Sequence, residues 1–129
     1  MTRLACAACG KALALVWLFL AALPAADAAI ELEDFAGRTV RLDAPAQRIV
    51  ALAPDIVENV FSAGAGAKLV GAVAYSDHPP VASEIPRVGN FQSWSVESVV
   101  ALRPDLVLLW GSGNGMDSLY VFVQLGIPV

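Results

Sequence analysis

The sequence predicts an α/β fold built on a parallel sheet. Three observations lead there. Arg48–Ala53, Leu69–Ala74 and Leu106–Trp110 are runs of mostly apolar residues without polar alternation, the first of them rich in β-branched types. Such runs mark strands covered on both faces. Segments with helical spacing of apolar residues lie between and after them. Pro, Gly and Asn clusters punctuate the boundaries. Strands alternating with helices give a sheet sandwiched between helices, joined by right-handed crossovers.

The chain has 129 residues, enough for one domain. Residues 1–28 read as a secretory signal peptide. Arg3 and Lys11 supply a positive start, Ala12–Leu23 an apolar run, Pro24 a break, and Ala26-Asp27-Ala28 a cleavage site. The apolar run is shorter than the ~20 residues that span a bilayer. Cys6 and Cys9 precede it, so no lipid anchor is expected, and the exported part, 29–129, has no cysteine. It must fold without disulfides.

Ile30–Asp34 and Arg38–Leu42 alternate apolar and polar residues around Phe35-Ala36-Gly37, which predicts a β-hairpin at an edge. Pro54 ends the first buried strand. Asp55 is expected to cap the following helix, with Glu58 at capping-box spacing and Gly64 and Gly66 as stops. A Pro-rich loop, Tyr75–Pro80, follows the second strand, and residues 81–94 are expected to be irregular. Ser95 is positioned to cap a short helix reaching Leu102. After the third strand, Gly111–Gly115 is expected to be a loop and Met116–Leu125 a helix. Leu125–Val129 reads as a helix end entering a strand, which predicts the N-terminal part of a longer protein.

Several function classes are disfavoured. The formal charge is −4 with no basic run, so nucleic-acid binding through phosphate neutralisation is not expected. The one histidine, His78, lies in a loop without a neighbouring nucleophile motif and reads as solvent-facing. One histidine with scattered carboxylates makes no zinc site. Gly111-Ser-Gly-Asn-Gly lacks the Lys-Ser/Thr of a phosphate loop and the spacing of a dinucleotide fingerprint. Neither catalytic residues, nor a metal, nor a cofactor is predicted.

The aromatic residues carry more information. Tyr75 and Trp110 fall at the carboxyl ends of buried strands, where ligands of parallel sheets sit. Phe91 and Trp94 lie in the loop between them. Converging on one rim, they would form an apolar platform suited to a large ring system. Phe61, Tyr120 and Phe122 stand at helical positions and are expected in the core.

At these residues the chain resembles the periplasmic binding proteins of the vitamin B12, siderophore and haem ABC importers. The carrying residues are Arg48-Ile-Val-Ala-Leu-Ala-Pro, Glu58, Phe61-Ser-Ala-Gly-Ala-Gly and Leu69-Val-Gly. Tyr75-Ser-Asp-His-Pro-Pro, Pro86-Arg-Val-Gly, Ser95-Val-Glu and Leu102-Arg-Pro-Asp-Leu-Val-Leu-Leu-Trp-Gly-Ser-Gly-Asn match the vitamin B12-binding branch best. The resemblance runs through residues 45–129.

It implies a class III periplasmic-binding-protein-like fold, with residues 29–129 as the N-terminal lobe of a two-lobed protein whose lobes are joined by a long helix. It implies a monomer in the periplasm that captures cobalamin or a related corrinoid and delivers it to an ABC importer permease. Tyr75 and Trp110 match aromatics lining the ligand cleft, with Pro54, Phe91, Trp94 and His78 around them. Glu97 matches a surface glutamate that pairs with permease arginines, a directional contact. Phe91 stands where the family often has Trp, and His78 where it often has Tyr. A histidine there can ligate cobalt or haem iron. The hairpin is common in siderophore and haem relatives. Haem or an iron-siderophore is therefore the alternative ligand. An α/β enzyme lobe and a non-functional fragment are the remaining readings.

Overall fold

The structure is a computed structural model and describes residues 29–129; the expected signal peptide lies outside them. Five strands and four helices order the described residues. β1 (Ile30–Glu33) and β2 (Thr39–Leu42) form the antiparallel hairpin. Its turn is held by Asp34. One carboxylate oxygen accepts from the backbone N–H of Ala36 and of Arg38, and the other from the Arg38 guanidinium. These donors hold the Asp34 carboxyl below its ordinary range, the Arg38 backbone N–H first among them.

The second sheet has the order β4-β3-β5, all parallel. β3 (Ile49–Ala51) lies between β4 (Leu69–Ala72) and β5 (Leu106–Leu108). Alternation across β3 divides the core. Ile49 and Ala51 face a cluster with Val57 and Val60 of α1 (Pro54–Ser62). Val50 and Leu52 face one with Val99 of α2 (Val96–Ala101) and Phe122 of α4 (Met116–Gln124). The period-2 geometry of a strand feeds both layers. β3 is fully covered because each of its faces has a helix.

The amino end of the sheet is closed by charge. Asp105 accepts from the backbone N–H groups of Gln47 and Arg48, and the Arg48 guanidinium donates to the Leu102 and Arg103 carbonyls at the end of α2. Beyond α4, the Pro128 carbonyl accepts from Val107 N–H at the outer side of β5.

Several local expectations change. α1 is not capped by Asp55: Pro54 is already inside the helix, the N-cap is Ala53, and no side chain bonds there. A proline at the first helical position fits because its missing N–H would be unpaired anyway. Gly111–Asn114 is not loop but one helical turn, α3. Residues 81–94 are more ordered than expected. They carry a 3₁₀ turn, Pro80–Glu84, and bridges from Arg87 to Ala72 and from Gly89 to Trp94. Tyr120 points out of α4 and is exposed, while Phe122 is fully buried. Ser95 does cap α2, accepting from Ser98 N–H at 3.1 Å.

Candidate ligand-binding rim

The three parallel strands end on one side of the molecule, and the candidate ligand residues follow those ends. Pro54 comes directly after the β3 segment, Tyr75 and His78 after β4, and Trp110 after β5. Phe91 enters from the loop before α2. Its ring centroid lies 6.5 Å from that of Trp110, with the planes tilted by 42°. This is within the range of a favourable aromatic pair.

Exposure separates the members. Tyr75 is 79% exposed and Trp110 45%, so both offer their rings to solvent. His78 is exposed in the same loop, and Phe91 and Pro54 are half-buried. Trp94, half-buried like Phe91, packs against the same core cluster and stacks on Phe122 at 5.1 Å and 20°. Tyr75 also has a φ of +67°, a left-handed conformation that costs a side-chain-bearing residue about 1–2 kcal/mol. Strain of this kind tends to collect at ligand sites.

The loop that carries Tyr75 and His78 is stitched by Arg87. Its guanidinium donates to the carbonyls of Ser76, Ala82 and Ile85 and pairs with Asp77 at 3.1 Å. Ser76, immediately after Tyr75, is buried. Exposed aromatics therefore stand on a rim whose backbone is tied down.

Glu97 sits in the first turn of α2, exposed to solvent. Its own backbone N–H and the Ser95 hydroxyl, which donates to Glu97 Oε2 at 2.9 Å, hold its carboxyl below the ordinary range. It is thus an accessible, ionised and oriented acid, able to receive a guanidinium. Among the described residues, no group of three or more His, Cys, Asp or Glu side chains is placed to hold a metal ion. No helix among them is long and apolar enough to cross a membrane.

Two contributors escape sequence reading. Asn114 ties the Trp110 turn to its neighbours through three side-chain hydrogen bonds. An asparagine amid glycines after a strand is the available signal, since Asn side chains bond nearby backbone in turns. Phe35, at the hairpin tip, lies against Gly111, where a Cβ would fall 1.7 Å from its ring. Nothing in the local pattern announces that contact, because it joins residues 76 positions apart.

The described residues thus carry a three-stranded parallel sheet with aromatic residues at its carboxyl rim. Residues 49–129 match the periplasmic binding protein family, and the chain belongs to it. Among its relatives are vitamin B12-binding proteins. It is 44% identical over 85 residues to those of Vibrio campbellii and Vibrio cholerae, and 42% identical over 84 residues to that of Yersinia pestis. The match with the Vibrio campbellii protein covers 66% of this chain and 31% of the relative.

Solved structures point the same way. The periplasmic vitamin B12 binding protein BtuF of Vibrio cholerae superposes with a TM-score of 0.61 at 44% identity, over 64% of this chain and 32% of that one. The periplasmic haem-binding protein RhuT of Roseiflexus gives 0.59 at 30% identity, over the same shares. The chain spans about a third of the length of these relatives.

Proposed function

We propose that this chain is the N-terminal lobe of an exported receptor for cobalamin or a related corrinoid, serving an ABC importer. The observation that carries the reading is the 44% identity to vitamin B12-binding proteins. Haem-binding structures reach 30% over a comparable stretch. The role is binding rather than catalysis. The leader directs the chain to the periplasm, where it acts as a monomer.

Tyr75, Phe91 and Trp110 supply an apolar face that takes up the flat macrocycle, with Pro54 and Trp94 as its supports. A corrin ring is wide, largely apolar and rimmed by amides. Exposed rings on a fixed rim suit it, because aromatic contact area comes at low conformational cost. Glu97 then fixes the docked orientation on the permease by facing guanidinium groups. His78 keeps a second reading alive. It stands on the same loop as Tyr75, and a neutral imidazole there can ligate haem iron or cobalt.

Isothermal titration of the purified protein with cyanocobalamin and, separately, with hemin tests this. Saturable cyanocobalamin binding, weakened at least about tenfold by Trp110→Ala, is the expected result. Hemin binding without cyanocobalamin binding, lost in His78→Ala, would replace the corrinoid reading with the haem one. A folded protein that binds neither would remove the chain by itself from the receptors.

A further inference from the structure

We infer that Asn114 is the positioning residue of the rim: one carboxamide sets Trp110 and Phe91 as a pair. This deepens the proposed ligand site and rests on that reading. The Asn114 Oδ1 accepts from the backbone N–H of Trp110 at 2.8 Å. Its Nδ2 donates to the Phe91 carbonyl at 2.6 Å and to the Leu52 carbonyl at 3.1 Å. The three partners come from three separate segments. Trp110 follows β5, Leu52 follows β3, and Phe91 belongs to the loop before α2.

Only a carboxamide satisfies that set. It offers one acceptor and two donors in a single plane, and here both N–H groups are used. The orientation is fixed by the partners. A flipped amide would set its oxygen against two carbonyls and its NH₂ against an N–H. Aspartate would keep the acceptor but face two carbonyl oxygens with a negative charge.

Gly113 completes the device. A Cβ there would lie 2.1–2.5 Å from carbons of the Trp110 indole, so the ring rests on that glycine. Gly113 sits inside α3 without a left-handed φ, so the free space above it, and not backbone freedom, is what the position requires. The indole is thus anchored through its backbone by Asn114 and seated on Gly113, with Phe91 held beside it by the same Asn114. Held rings bind better than rings that must be ordered on contact.

The test combines affinity with ring geometry in the purified protein. Asn114→Ala, Asn114→Asp and Gly113→Ala should each weaken cyanocobalamin binding about tenfold at a temperature where circular dichroism reports a folded chain. Gly113→Ala leaves the Asn114 carboxamide in place and displaces the indole instead, so it perturbs the rim by a second route. Val60→Ala, in the opposite core layer, should lower the melting temperature yet change affinity less than about twofold. In the ligand-free protein, nuclear Overhauser contacts between the Phe91 and Trp110 rings should vanish in Asn114→Ala. Wild-type affinity in the Asn114 and Gly113 variants, with Trp110→Ala weakened, overturns the positioning role and leaves the receptor reading standing. Intact ring contacts in Asn114→Ala overturn it as well. If the wild type binds no corrinoid, the corrinoid reading fails, and the ring contacts alone decide the role of Asn114.

Discussion

Tyr75 holds a strained backbone and an exposed ring, two properties that pull a substitution in opposite directions. Tyr75→Gly relieves the left-handed conformation but loosens the unfolded chain, and the two effects nearly offset. Its unfolding free energy should stay within about 1 kcal/mol of wild type in a urea titration. Cyanocobalamin affinity should nevertheless fall, which separates function from stability at a single site. Asp34 makes a pH-dependent prediction. Its carboxyl is held below the ordinary value of 3.8, so its contribution is complete above that value and fades as pH falls through the lowered one. The stability gap between wild type and Asp34→Ala should therefore be widest near neutrality and close below pH 3.8 in denaturant titrations across pH. At this scale the sequence was partly legible. Tyr75 and Trp110 could be placed on a rim because strand ends are visible in the pattern. The stacking of Trp94 on Phe122 could not, because the two lie 28 residues apart and no local period links them.

The elements show why some boundaries were readable and others were not. Ser95 announced α2 because a cap is a local event, an oxygen reaching an N–H three residues on. Ser95→Ala should cost about 1 kcal/mol of stability in thermal or chemical unfolding. It should also release the Glu97 carboxylate, whose lowered pKa owes part of its shift to that hydroxyl, and a carboxyl-carbon NMR titration should show the Glu97 value rising. Asp55 misled because the same residue types also suit the first turn of a helix that a proline opens. The Gly-rich stretch misled in the opposite sense. Glycines at Gly111 and Gly113 read as loop, yet each is required by a ring packed against it, Phe35 and Trp110 respectively. Tertiary contact outweighs the low helix propensity of glycine there.

On the scale of the whole molecule, the hydrophobic pattern sufficed for the architecture. Three apolar runs became three parallel strands, and the period-2 alternation inside β3 assigned its residues to two core layers. The strand order β4-β3-β5 was not legible, since nothing local says which buried strand takes the middle. The second layer depends on Phe122, the largest fully buried side chain among the described residues. Phe122→Ala should cost about 3–5 kcal/mol and loosen Trp94, its stacking partner. Differential scanning calorimetry gives the first quantity, and a red shift of tryptophan emission the second.

The middle place of β3 sets a timetable for the growing chain. Both neighbours of this strand are made after it, and the second, β5, is complete only when Leu108 has been added. At ~5–20 residues per second, roughly 3 to 11 s separate Ala51 from Leu108 on the ribosome. Throughout that interval β3, buried along its whole length in the finished fold, has one edge unpaired. That open edge is a site where other extended chains can add until β5 covers it.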